Sequence, residues 1–423
     1  MKFIKQRAGW LVLGTLVFYL LFVVQWVPLW VPTLSAWVSN MAMWRTLPKG
    51  ARRQVSILMG IGVVALVFAA SKGILMTWQQ ILSVNIPLLA MFVAVSFLDL
   101  TSSKDLKRPL PQGVRAILNT AFGVHLLGAV INLSVVMVFA DRIKGAVNLT
   151  NSQQFILTRC FSAGAWWSPF FVATGVAITF APGMEWQETL IPGVAMGVMA
   201  TLISSFDAYR SDDKTFHGYP IQLESLIIPV FLAVSVIIFH FLFPSTSILV
   251  LICLLSPTAA ILFMNAKPRR RILYHFVDHK LPQIGSQFAL FLGAGVFSNG
   301  IAAIIFCYPE FFDLHHFHFN GWMFSWVLAG MILASYIGIH PLVSVAIISP
   351  MLLPLEPNPT QLGFLFLSGW AISAGSSALT GLGLLMSSRY GISAKSIMAN
   401  SWHYAVIMWL LCSLTNGLFL VIG

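Results

Sequence analysis

Two histidines stand behind a glycine in otherwise apolar surroundings: "GVHLLGAVINLS" covers residues 123–134 and "GIHPLVSVAIIS" residues 338–349. Aligned without gaps, they share Gly, His, Leu, Val and Ser at five of twelve positions. Each is followed at similar distance by a small-residue cluster, "SAGAWWSPFF" from Ser162 and "SAGSSALTGLG" from Ser373. An imidazole titrates near neutrality and both donates and accepts, so His125 and His340 can carry a proton or donate to an anion. A single histidine in such a setting commonly does no more than bond a neighbouring helix. The ordered pair, His motif and then Ser-Ala-Gly, occurring in both halves, points beyond that.

The thirteen acidic residues all fall in loops or near the ends of the apolar runs. Carboxylate-based cation and proton relays depend on acids at depth, and this chain offers none there. What remains is hydroxyls, amides, small residues and one cation. In the first half these are His125, Asn132, Arg159, Ser162, Gly164 and Ser168; in the second, His340, Ser344, Ser373, Gly375, Ser376, Ser377 and Thr380. Helix ends at breaks add partial positive charge, so the set suits a small anionic solute. Arg159, one turn before the first cluster, either contacts that solute or snorkels to the inner interface. Asn299 in "GAGVFSNG" reads as helix packing. The outer cluster His315, His316, His318 matches no established zinc spacing. No H-E-x-x-H or G-x-S-x-G motif is present, so an enzyme is not expected and no catalytic residue or cofactor is assigned. The rival reading is an intramembrane enzyme, or a flippase for lipid-linked substrates, using the same histidines. No nucleotide-binding loop is present either, which leaves a proton or sodium gradient as the energy source.

The elements that position these residues follow from composition. Of 423 residues, 58% are hydrophobic and 9% charged, against about 25% charged in soluble domains. This is an all-α polytopic membrane protein. Apolar runs fall near 9–29, 31–44, 55–72, 78–99, 186–206, 221–243, 246–264, 286–306 and 398–422. The first is too long for a signal-peptide core and reads as a retained span. Four further regions, 114–140, 152–181, 321–353 and 361–386, are interrupted by polar or helix-breaking residues. The net charge of +11 sits in short loops, densest in "KPRRRILYHFVDHK" at 267–280; it is topogenic and does not imply nucleic acid. Cytoplasmic charges flank 114–140 at both ends, so it reads as a re-entrant hairpin from inside. Charge-free loops flank 321–353, a hairpin from outside. Each GxH would then lie near a hairpin tip, and the halves form an inverted repeat. Four cysteines without ligand spacing argue against disulfides and structural zinc.

The order of scaffold spans, hairpin, helix broken at a small-residue motif, one span, and then the same inverted resembles the ion transporter superfamily. The layout is closest to the divalent anion:sodium symporters. That resemblance implies about eleven spans, two hairpins, two broken helices, elevator-type alternating access, a homodimer, and an inner-membrane location with the N-terminus cytoplasmic. In that family the hairpin tips carry Ser-Asn-Thr. Here they read "GVHLLG" and "GIHPLV", which makes protons a rival to sodium. The expected division is 1–112 scaffold, 113–206 first transport elements, 207–306 scaffold with the basic loop 265–283, and 307–423 second transport elements.

Overall fold

The computed structural model describes residues 7–101, 109–131, 133–144, 148–211, 216–220, 226–264, 267–308, 310, 318–378 and 380–422, without the side chains of 418–422. Among these residues regular structure is helical, apart from an isolated antiparallel bridge between Gln112 and His217. Six helical stretches are long and apolar enough to cross a membrane: Lys49–Ser71, Gln79–Thr101, Val114–Ile131, Trp186–Arg210, Arg269–Cys307 and Pro359–Tyr390. Shorter apolar helices include Ala8–Val23, Ile227–Leu242, Ile248–Phe263 and Gly321–Tyr336. The protein is a multi-pass membrane protein.

The chain forms two compact units. One comprises Met1–Thr101, Val234–His318 and Ala346–Glu356, the other Ser102–Ala233, Phe319–Val345 and Pro357–Gly423. In the first, Lys49–Ser71 lies against Gly285–Cys307 with backbones nearly touching. A Cβ on Gly62 would stand 2.8 Å from the Phe297 Cα, and one on Gly300 2.7 Å from the Gly62 carbonyl oxygen. Close approach through small residues is how helices adhere where lipid removes the hydrophobic drive. Asn85 Nδ2 donates to the Phe291 carbonyl at 2.6 Å, and Asn299 Nδ2 to the Gln80 carbonyl at 2.8 Å.

The second unit holds both broken helices. Its first interrupted helix starts at a capping box, in which Thr150 and Gln153 satisfy each other's backbone donors. It runs through Asn151–Phe155, a π turn at Ile156–Cys160 and a 3-10 turn at Ala163–Trp166, and resumes only at Val172–Phe180. Pro169 lacks an N–H and disfavours helical backbone at Ser168, so the chain cannot continue straight through. The second runs as Pro359–Ser376, opens into extended backbone at Ser377 and Thr380, and resumes as Gly381–Tyr390. Ser and Thr hydroxyls offer the backbone alternative partners, and the Thr380 side chain accepts from the Gly383 N–H to start the new helix.

Each break is accompanied by a helix–turn–helix. One is Val114–Ile131 with Ser134–Ile143, the other Gly321–Tyr336 with Pro341–Leu352. The second turn contains Gly338 at φ +108 and His340, and Pro341 starts the next helix. His340 therefore lies at a turn, as its sequence suggests. His125 does not: it sits inside Val114–Ile131, and the chain turns only between Ile131 and Ser134. Nothing from Gly123 onward stops that helix, whereas Gly338 and Pro341 stop theirs. The twelve-residue match is thus not a match of equivalent positions.

Candidate functional site

The first break is built onto Val114–Ile131 through small residues. A Cβ on Gly128 would meet the Phe161 ring at 2.6 Å, and one on Gly164 the Ala129 Cα at 3.1 Å. The Ser168 hydroxyl donates to the Ala129 carbonyl. His125 is 3% exposed, with Nδ1 3.2 Å from the Cys160 carbonyl oxygen and Nε2 accepting from the Trp167 indole N–H at 3.1 Å. An indole only donates and a carbonyl only accepts. The hydrogen of His125 therefore sits on Nδ1, and both ring nitrogens are engaged. Trp186–Arg210 closes the other side: a Cβ on Gly197 would stand 3.0 Å from His125 Cε1, and one on Gly193 2.3 Å from the Trp166 carbonyl oxygen.

The second break is arranged in a related way. The His340 ring meets Trp370 edge-on at 5.5 Å between centroids, and His125 meets Trp167 at 5.7 Å with the rings tilted by 55°. Among the described residues the imidazoles make ring contacts with these tryptophans and not with one another. His340 Nδ1 accepts from the Leu342 N–H at 3.2 Å. The Ser377 hydroxyl donates to the Ser335 carbonyl at 2.7 Å and so joins the break to the end of Gly321–Tyr336. Ser376 bonds back to Ile372 at 2.6 Å. Ser344 and Ser373 are buried, and their hydroxyls have no partner among the described residues.

The two Ser-Ala-Gly segments meet. A Cβ on Gly375 would stand 2.5 Å from Ser162 Oγ and 3.3 Å from the Arg159 Cα. Farther along the same two helices, the Trp166 indole donates to Ser368 at 3.2 Å. At the mouth of the second break, a Cβ on Gly381 would meet nothing within 4 Å. Of the residues singled out from sequence, Ser162 and Gly375 are in direct apposition. His125, Gly164 and Ser168 surround the first break. His340 and Ser377 tie the second helix–turn–helix to the second break. Asn132 lies outside the described residues. So do His315 and His316 of the outer cluster, and no group of metal-binding side chains occurs among the described residues.

Arg159 is 0% exposed; its two terminal nitrogens are bonded to protein, while Nε is buried without a partner among the described residues. Nη1 is 2.6 Å from Asp207 Oδ2, and Nη2 donates to the Asn400 carbonyl at 2.6 Å. The guanidinium lies over Phe155 and Tyr404, 4.4 and 4.6 Å from the ring centroids. It does not snorkel: Asp207 and a backbone carbonyl hold the two terminal nitrogens of its fork. Asp207 also accepts from His403, with Nε2 at 3.0 Å. Sequence reasoning passed over Asp207, His403, Trp167 and Trp370, whose partners are distant along the chain. The one available signal was the tryptophan pair inside "SAGAWWSPFF". A cavity of about 300 Å³ lined by Ile332, Leu333, Trp402 and Trp409 among others lies between Gly321–Tyr336 and Trp402–Ile422. Its walls are apolar and it is not the site of an anion.

No family model and no curated protein matches the chain. Among solved structures it is similar to the YdaH transporter of Alcanivorax borkumensis, described as having an unusual topology. The identity is 12%, covering 87% of this chain and 85% of that one, with a TM-score of 0.35.

Proposed function

We propose that this protein is a secondary active transporter of a small anionic solute, an organic acid or oxyanion, in the inner membrane with its N-terminus cytoplasmic. The observation that carries the reading is the apposition of the two interrupted helices at the turns leading into their breaks, Ser162 against Gly375. Irregular backbone at membrane depth is tolerated only where it is buried in protein or lines a cavity. Two interrupted helices packed against each other just before their unwound segments resemble the arrangement that inverted-repeat transporters use for their solute. The solute would lie beside the hydroxyls of Ser344 and Ser373, unpartnered among the described residues, before the N-terminus of Gly381–Tyr390, where the helix end favours negative charge. Its contacts would be Ser162, Ser373, Ser377 and Thr380, with Arg159 lending potential rather than a direct bond.

In this reading the unit holding both breaks moves and the other unit is the scaffold, an elevator cycle. The helix–turn–helix at 114–143 enters from inside and that at 321–352 from outside, the halves forming an inverted repeat. Both His125 nitrogens are engaged by protein, so that ring offers no free base. The test is flux: purified protein in liposomes, with labelled acetate, succinate, citrate and sulfate under imposed proton or sodium gradients, and choline as the cationic control. Saturable, gradient-dependent entry of an anion is expected. If no probe enters faster than into protein-free liposomes, the proposal is wrong.

A further inference from the structure

We propose that His403, held by Asp207, is the site that binds the coupling proton. This rests on the transporter reading above and goes beyond it by naming the ion and its site. An ionised carboxylate only accepts, so His403 Nε2, 3.0 Å from Asp207 Oδ2, carries its hydrogen whether the ring is neutral or charged. The exchangeable proton therefore sits on Nδ1. The side chain is 40% exposed, so it is not sealed inside the fold. Arg159 and Asp207 cancel each other's charge. Uptake of a proton on His403 turns a neutral cluster into one with a net positive charge.

The position of the cluster links that charge to the solute. The Arg159 backbone borders both Ser162 and the Gly375 position, and its side chain ends on Asp207 and Asn400. A positive charge gained at His403 is thus felt where the breaks meet, and it favours an anion there. By reciprocity, a bound anion favours the proton. Both are carried by the same unit, so they cross together. The other groups facing the pair cannot take this role. The first broken helix brings Arg159, charged at all working pH, and the Cys160 thiol. Tyr404, on the same helix as His403, lies over Arg159. Arg210 lies over Phe206. The segment 394–400 brings the exposed Lys395, and Gly321–Tyr336 and Pro359–Ser376 bring the Tyr336 hydroxyl and no charged side chain. Asp212 and Asp213 lie outside the described residues.

The test uses the full chain in liposomes, with acetate, succinate, citrate and sulfate as probes and two readouts. One is accumulation driven by an acid exterior; the other is exchange at equal concentration on both sides, which needs no net proton movement. For the probe that moves, wild-type half-saturation is expected to rise about tenfold from pH 6 to pH 8, within the usual range of coupling. H403Q should lose accumulation at least tenfold and should exchange with the half-saturation of wild type at pH 8, about tenfold above that at pH 6, with a flat pH profile. H403R fixes the charge and keeps a donor to Asp207; its exchange should also be independent of pH. Accumulation retained in H403Q, or a pH profile retained in H403R, overturns the proposal. Wild-type accumulation that follows sodium and ignores protons overturns it too, and leaves the transporter reading standing. Failure of every probe to move overturns the transporter reading and this proposal with it.

Discussion

At the scale of single residues, Arg159 shows most clearly what spacing can and cannot tell. Its place one turn before a helix break was legible, and so was its depth. Its partner was not, because Asp207 lies 48 residues away and reads in sequence as a loop-side acid at the end of a span. A free arginine would make R159Q a binding mutant. A paired one makes it first a stability mutant: removing one member of a buried pair costs about 3–5 kcal/mol. The lower end applies here, since Asp207 is 20% exposed and keeps His403. R159Q should lower the melting temperature in detergent, and adding D207N should cost less than the sum of the single changes, because the two sites are coupled. Additive losses would mean that the pair does not stabilise the protein. Trp167 offers a second check. W167F keeps the ring but leaves His125 Nε2 without its donor, a loss of about 1–3 kcal/mol readable in thermal unfolding, whereas W370F should be mild because His340 meets Trp370 through ring contact.

At the scale of elements, the four interrupted regions were legible because proline, glycine and serine in mid-span leave few helical solutions. The exact turns were not. GxH recurs, yet only the second copy lies at a turn; a histidine neither stops nor bends a helix, so it could not mark the position. The glycines that set helix contacts were visible only as composition. Gly193 allows Trp186–Arg210 to reach within 2.3 Å of the Trp166 carbonyl oxygen at its would-be Cβ, and backbone cannot yield as a side chain can. G193A should therefore push this helix off the first break and lose transport, while G60A, with nothing within 4 Å, should leave it intact. Asp141 joins Ser134–Ile143 to the end of the second broken helix, with Arg389 at 2.7 Å, the Tyr390 hydroxyl at 3.0 Å and Lys144 at 3.9 Å. Partial burial pushes its carboxyl up, but the hydrogen bonds from Arg389 and Tyr390 and the charges of Arg389 and Lys144 outweigh it and hold the carboxyl below the usual range. Its contribution is present above the ordinary aspartate pKa and lost as pH falls through the lower folded value. Melting temperature should therefore fall at acid pH more steeply in wild type than in D141N.

At the scale of the whole molecule, membrane class and helical architecture were legible from composition alone, because 9% charge leaves no soluble alternative. The grouping of the chain into two units was harder to see. Each draws on segments far apart in sequence, and the break-bearing unit also takes in residues 207–233, where the expected division placed scaffold. Topology rests on loop charge, and Pro357 tests it: the position precedes the Asn358 cap, whose Oδ1 accepts from the Thr360 and Gln361 N–H groups, so P357C leaves the cap intact. An impermeant maleimide should label it from outside in intact cells; labelling only after permeabilisation would reverse the topology. The central claim, that an anion binds where the two breaks meet, is tested most directly at Gly381. A side chain there meets nothing within 4 Å, so G381C with Cys307 replaced by serine should fold, transport and react with a maleimide. The transported anion should slow that reaction about tenfold at saturating concentration, and choline should leave it unchanged. A thiol labelled equally fast with and without the anion, in protein that still transports it, would place the solute elsewhere and contradict the account.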